Sequence, residues 1–218
     1  MFKYFIIILS IIAFSSSCRK QTSNNCPTEF RPNGNVKPYD SSYSIGDTLS
    51  LYSHYHYLVY EESTNSYYDL SKVDNIKSAL MIYNMDTVCD NLDASLSDFI
   101  EIISNDKYNY TLQTFSTGNE SLYSNIILDS DTFRNEIKIV FKKKGLFMLV
   151  YGLNSIENSS DFEGKCNRYD FNVFTKLNNG YDNNINLLEQ SPDEYFNNWI
   201  LKKPGERFYR GCFAYKVD

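Results

Sequence analysis

The chain lacks the residue patterns by which common enzyme classes are recognised. It has two histidines and one tryptophan in 218 residues. It contains no Gly-x-Ser-x-Gly motif, no glycine-rich loop that would cradle a phosphate, and no cysteine or histidine spacing typical of zinc. It also lacks a basic stripe, and its formal net charge of −6 argues against nucleic acid as a partner. We therefore predict a protein that is not an enzyme, holds no cofactor and binds no nucleic acid.

Long apolar runs are also missing, and none reaches the roughly 20 residues that a membrane-spanning helix needs. The main one covers residues 5–14 and lies between Lys3 and the three serines at 15–17. A positive start, an apolar core of about 7–15 residues and small residues before the cleavage point are typical of a signal peptide. We expect residues 1–17 to be a cleaved leader.

Cys18 follows these serines directly and resembles the lipobox of bacterial lipoproteins, although Ser15 stands where that motif usually has Leu. In lipoproteins the cysteine is diacylated and becomes the new N-terminus. The resemblance implies that Cys18 anchors the protein to a membrane through lipid, with residues 18–27 as a tether. Arg19, in place of the Asp that retains lipoproteins at the inner membrane, implies the outer membrane. The basic character of the residues that follow Cys18 favours the periplasmic face of the outer membrane over the cell surface. The alternative is an ordinary secreted protein cut near Ser17.

Cysteine is scarce, with five residues in all, and four remain once Cys18 is assigned to lipid. An even number in an exported chain allows disulfides, with three possible connectivities. We predict a possible disulfide between Cys166 and Cys212. Cys26 and Cys89 would then form a second pair or stay as thiols, and buried thiols throughout are the alternative.

Aromatic residues are abundant, with 19 Tyr and 15 Phe, and short apolar segments recur between Asn, Asp, Ser and Gly. Seven or more such strands at about 8–12-residue spacing predict a mainly β fold, an immunoglobulin-like antiparallel β-sandwich. The clearest strand pair covers residues 136–142 and 146–151. The second of these strands is apolar on both faces, which predicts a position between two packed layers. Residues 141–147 also resemble the corner before the penultimate strand of immunoglobulin-like domains, with Phe147 where a Tyr is usual.

The C-terminal part differs in pattern. Residues 191–194, Ser-Pro-Asp-Glu, are typical of a helix start, and Pro204 ends the helix. Tyr195, Phe196 and Trp199 form an apolar stripe on this short helix, which we expect to pack on the sandwich. The stripe is a possible binding surface, and core packing is the alternative. We predict one domain at 28–218, with the sandwich at 28–152 and a strand-helix-strand extension at 153–218.

The leader and several later motifs together resemble a family of uncharacterised Bacteroidota lipoproteins. The motifs are Gly46-Asp47-Thr48, Phe162-Glu163-Gly164-Lys165-Cys166, and the segments 177–182, 191–204 and 206–208. This resemblance implies class and compartment, and no activity. We therefore expect a lipid-anchored cell-envelope protein that is a non-catalytic binding or structural module, with an unknown envelope protein or glycan as its partner.

The second hypothesis is an envelope hydrolase with a metal-assisted site at His54 and His56. These residues lie two apart in a predicted strand, so both side chains fall on one face. A metal site would need a third ligand from an Asp or Glu elsewhere. The alternative is that both are ordinary surface histidines.

Overall fold

Alternating apolar and polar residues set most strands of this computed structural model, which describes residues 26–27, 29–73, 76–88, 96–116, 118–154, 160–162, 167–168, 171–180, 182–194 and 211–218. In chain order the strands are β1 (Glu29–Phe30), β2 (Asn33–Lys37), β3 (Ser42–Tyr43), β4 (Thr48–His56), β5 (Leu58–Glu61), β6 (Ser66–Asp69), β7 (Lys77–Asn84), β8 (Ile100–Ile103), β9 (Tyr110–Thr114), β10 (Glu120–Asn125), β11 (Ile127–Asp129), β12 (Thr132–Phe141), β13 (Gly145–Asn154), β14 (Ser160–Asp161), β15 (Asn167–Arg168), β16 (Asn172–Phe174), β17 (Lys176–Leu177) and β18 (Cys212–Val217).

Helical structure is minor in the described ranges. A single α-turn, α1, covers Leu96–Phe99, and 3-10 helices cover Leu70–Lys72, Asn178–Gly180 and Ile185–Gln190. None of the helices in these ranges is long and apolar enough to cross a membrane.

Two sheets face each other and make a sandwich. The larger sheet runs β1-β16-β13-β7-β10-β9, with β18 also beside β13 and β3 beside β18. The smaller runs β11-β12-β4-β2-β17, with β8 also beside β12. Two small hairpins, β5–β6 and β14–β15, stand apart from these sheets. The mainly β sandwich predicted from the sequence is confirmed.

The strands β12 and β13 are consecutive, as predicted, but they are not partners. β12 pairs with β4, β8 and β11 in the smaller sheet, whereas β13 pairs with β7, β16 and β18 in the larger one. The prediction of a strand pair was therefore wrong. Between them Gly145 has φ 149°, a conformation that L side chains rarely adopt, and the amide of Leu146 donates to Asp86 Oδ2 at 3.0 Å. This turn carries the chain from one sheet to the other.

The prediction that the second of these strands lies between two layers is confirmed. One face of β13 packs in the core between the sheets, with Phe147, Leu149 and Tyr151. The other face packs under the 3-10 helix Ile185–Gln190, with Leu146, Met148 and Val150 against Ile185 and Leu188. Apolar residues at every position from 146 to 151 of β13 are therefore needed, because both of its faces are covered there.

The N-terminal and C-terminal parts of the domain pair with each other. Three short parallel pairings join β1 to β16, β2 to β17 and β3 to β18. Strands that follow residue 152 therefore belong to both main sheets. The parallel pairings are an addition to the antiparallel pattern that the sequence predicts.

Candidate functional site

A cleft of about 530 Å³ lies where β1, the end of β4, the β5–β6 hairpin and β17 meet. Its volume is within the range of ordinary small-ligand sites. Its lining includes Glu29, Arg31, Tyr55, His56, Leu58, Tyr60, Glu61, Glu62 and Lys176.

Phe30 fixes the N-terminal wall of the cleft. Its ring is fully buried and packs edge-on against Tyr68 at 5.6 Å and Phe171 at 5.2 Å between ring centroids. Because successive side chains of an extended chain point to opposite sides, the neighbours Glu29 and Arg31 lie on the other side and line the cleft.

The charged groups of this wall pair with one another. Arg31 forms an ion pair with Glu29 through its Nε, and its Nη1 lies 3.5 Å from Glu62 Oε2. The guanidinium is thus held between two carboxylates. Such charge-assisted contacts orient a planar group that still has other N–H donors.

Glu61 closes the turn between β5 and β6. It is buried, and its carboxylate accepts hydrogen bonds from the Ser63 hydroxyl, the Thr64 hydroxyl and the Thr64 amide, each at 2.7 Å. Burial opposes the charged form, but these hydrogen bonds outweigh it and lower the pKa of Glu61. Glu61 is therefore held in place as a carboxylate. A carboxyl group that donates a proton near neutral pH would need a raised pKa instead.

The outer face of the same hairpin presents two tyrosines. Tyr60 and Tyr67 are directly opposite each other across β5 and β6, with ring centroids 5.3 Å apart. Their exposed fractions are 43% and 64%. The inner face carries Val59 and Tyr68, which are buried in the cluster around Phe30. The hairpin is therefore held by one face and open on the other.

Tyr55 lines the cleft from the end of β4. It is 8% exposed, and its hydroxyl has no hydrogen-bond partner in the part of the chain that the structure describes. Burial, and after it the charge of Tyr151, raise the pKa of Tyr55. A buried hydroxyl without a partner is unfavourable, and because this oxygen is closed to solvent it is not presented to a ligand in the cleft.

A polar network crosses the sandwich behind Tyr55. The Tyr151 hydroxyl donates to Asn135 Oδ1 at 2.8 Å, and Asn135 Nδ2 donates to Ser124 Oγ at 2.9 Å and to the Asn125 carbonyl at 2.8 Å. Asn135 belongs to the smaller sheet and the other three residues to the larger. The hydroxyls of Ser53 and Thr175 are also buried, without partners within the described ranges.

His54 and His56 do lie on one exposed face of β4, as the sequence predicts. Across the ladder, His54 is opposite Arg134, which repels a cation. His56 uses Nδ1 to accept from the Leu58 amide at 3.0 Å, and its Nε2 is 3.8 Å from Asp131 Oδ2. In the described residues, no three His, Cys, Asp or Glu side chains form a group that could hold a metal ion. The structure does not bring a third ligand to these histidines within those ranges.

Cys212 is a buried thiol on β18, and burial raises its pKa. It packs in the apolar layer on the outer side of the larger sheet, with Met148 and Leu188. The disulfide predicted between Cys166 and Cys212 is not shown, because Cys212 is present as a thiol. Cys166 itself lies outside the described residues.

Other predicted positions lie outside the described residues as well. They are Cys18 with the leader and most of the tether, Cys89, and the helix stripe of Tyr195, Phe196 and Trp199. Among the cleft residues, the sequence singled out His56 alone, as a candidate metal ligand. A signal for part of the cleft exists in residues 60–68, where polar turn residues separate Tyr60 from the Tyr67–Tyr68 pair, a pattern typical of a hairpin.

Comparisons with known proteins show only distant likeness. No protein-family model matches the sequence, and no curated protein matches it. Among solved structures, the chain is similar to the human F-spondin reeler domain at 10% identity and a TM-score of 0.34, over 61% of this chain and 84% of that one. It is similar to a cohesin module of a Clostridium perfringens family 33 glycoside hydrolase at 9% identity and a TM-score of 0.31, over 68% and 98%.

A group B streptococcus pilus 2b backbone protein is similar at 12% identity and a TM-score of 0.23, over 58% of this chain and 53% of that one. Likeness at these TM-scores says nothing about function.

Proposed function

We propose that this protein is a lipid-anchored component of the bacterial cell envelope and acts as a non-catalytic binding module. The observation that carries the binding role is the cleft at the β5–β6 hairpin. Glu29 and Glu62 are engaged with Arg31, and Glu61 accepts hydrogen bonds from Ser63 and Thr64, with its pKa lowered. Charged groups fixed in this way favour recognition, whereas proton transfer at neutral pH favours groups whose pKa lies near 7.

The anchor is proposed from the leader. Lys3, the apolar run at 5–14 and the serines before Cys18 support lipidation at that cysteine, and Arg19 supports the outer membrane, at its periplasmic face. Two or three acyl chains, each CH₂ contributing about 0.8 kcal/mol, would hold the protein on a bilayer. The partner would be an envelope protein or glycan within reach of the tether.

Intact-mass measurement tests the anchor. We expect the mature chain, expressed in a bacterium that processes lipoproteins, to begin at Cys18 and carry acyl mass. The Cys18→Ser variant should appear in the soluble fraction instead of the detergent phase. A mature N-terminus without acyl mass, or equal distribution of both proteins between the fractions, would overturn the anchor.

Crosslinking in intact cells tests the binding role. A photoreactive residue placed at Glu62, on the exposed rim of the cleft, should capture a defined envelope component. The matched control is the same residue at Asp218, which is exposed at the chain end. Capture at both positions alike, or at neither, would contradict a binding role for the cleft.

A further inference from the structure

The outer face of the β5–β6 hairpin is an aromatic platform beside the cleft, formed by Tyr60 and Tyr67. Tyr60 belongs to both features, since it also lines the cleft. Its hydroxyl donates to Asn65 Oδ1 at 2.6 Å, which holds the ring in one orientation across the turn. Leu58, which lies on the same side of β5, is also exposed and extends the apolar area.

The charge balance of the cleft limits the chemistry of its ligand. Arg31 is already held between Glu29 and Glu62, and Glu61 is occupied by Ser63 and Thr64. An anionic ligand would meet these carboxylates, and a cationic ligand would meet Arg31 and Lys176. An uncharged ligand avoids both penalties and still finds fixed donors and acceptors.

The guanidinium of Arg31 adds donors for a hydroxyl or carbonyl. Glu29 and Glu62 engage its Nε and Nη1, and it has further N–H groups that can donate. An uncharged ligand rich in hydroxyl groups is the class that would match these donors together with the paired charges of the wall.

We infer that the cleft and the platform together bind a neutral saccharide, and this inference rests on the binding function proposed above. The apolar face of a sugar ring stacks on Tyr60 and Tyr67, and its hydroxyls bond to the polar wall of the cleft. Flat aromatic side chains with a polar edge suit such a surface, which is apolar on its face and polar at its rim.

Affinity electrophoresis provides the test, with the full chain in a neutral detergent. The gels contain one of four soluble neutral polysaccharides: mixed-linkage β-glucan, galactomannan, α-mannan or dextran. We expect at least one to retard the wild type. Retardation should persist at about 1 M NaCl, where the Debye length is about 3 Å and attraction between exposed charges is screened.

Variants locate the site. Tyr60→Ala and Tyr67→Ala should each raise the dissociation constant roughly tenfold, whereas Tyr60→Phe keeps the ring and should bind as the wild type does. Tyr39→Ala is the matched control, because Tyr39 is exposed and lies outside the cleft lining. Circular dichroism melts should show that all four variants fold.

Several results would overturn the inference. These are no retardation by any of the four polysaccharides, retardation that salt abolishes, and equal binding by Tyr60→Ala and the wild type. If the chain carries acyl mass and crosslinks an envelope protein through Glu62 but no polysaccharide retards it, the saccharide is excluded and the proposed function stands.

Discussion

At the scale of single residues, the sandwich depends on one amide that joins its two sheets. Asn135 is fully buried and both accepts from and donates to the opposite sheet. Burial of a polar group is unfavourable unless the group forms hydrogen bonds within the protein, because water cannot replace those bonds in the interior. The buried tyrosines 55 and 151 differ in this respect, since only Tyr151 has a partner among the described residues.

This difference predicts opposite outcomes for the same substitution. Tyr151→Phe removes the donor to Asn135 Oδ1 and should lower the free energy of unfolding by about 1–3 kcal/mol, because a buried acceptor is left unsatisfied. Tyr55→Phe removes a hydroxyl without a partner and should leave the free energy within about 0.5 kcal/mol of the wild type or raise it. Urea denaturation of both variants measures the difference. Equal losses would contradict the assignment of the network.

At the scale of elements, the β5–β6 hairpin is stabilised by its turn as well as by its buried face. Glu61 supplies the acceptors for the turn, and its pKa lies below the ordinary value of 4.5. A group whose pKa falls on folding stabilises the native state above its unfolded pKa. That stabilisation is lost as the pH drops through the lower, folded pKa.

Glu61→Gln should therefore reduce stability most at pH 7, and the gap from the wild type should shrink as the pH falls below about 4.5. Glu62→Gln is the control, because the Glu62 side chain is 69% exposed, and it should follow the wild type at every pH. Urea midpoints measured from pH 7 downwards give the two curves. A gap between Glu61→Gln and the wild type that stays constant with pH would contradict the role of the ionised carboxylate.

The local pattern of apolar and polar residues predicted the strands in which that pattern is clear. It failed for strands whose buried residues are polar. β12 and β13 were expected at 136–142 and 146–151, within their observed regions, β12 because its apolar side chains recur at every second position and β13 because its apolar run is unbroken. β10 was missed because two of its buried residues are Ser121 and Ser124, which are typical of loops in a sequence. The partners of β12 and β13 were mistaken because a short link between strands does not determine whether both lie in one sheet.

The cleft could not be predicted for a related reason. It is assembled from the adjacent strands β4 and β5 together with β1 and β17, which lie elsewhere in the chain. The short parallel pairings that bring β1 and β17 to this edge involve two residues on each strand, too few for a periodic pattern to show. Only the hairpin portion of the site has a local signal.

At the scale of the whole molecule, β16, β17 and β18 are part of the sandwich and do not form a separable attachment. Residues after position 152 contribute Phe213 and Tyr215 to the core between the sheets, Phe171 to the cluster under the cleft, and Leu188 to the outer layer. All three apolar clusters therefore combine residues from before and after position 152. Contacts between distant segments make unfolding cooperative.

A chain that ends after Gly152 should consequently fail to fold, even though it keeps most of the long strands. It loses β18 from beside β13 and exposes apolar residues of all three clusters. At about 25 cal/mol per Å², the exposure of about 600 Å² of apolar surface already offsets the upper end of the usual net stability of about 5–15 kcal/mol. Residues 26–218 are the matched control and should unfold in one transition in urea, followed by circular dichroism and tyrosine fluorescence. A cooperative transition in the 26–152 chain would show that this part folds as a domain by itself. The pairing of the two chain ends would then not be required for folding.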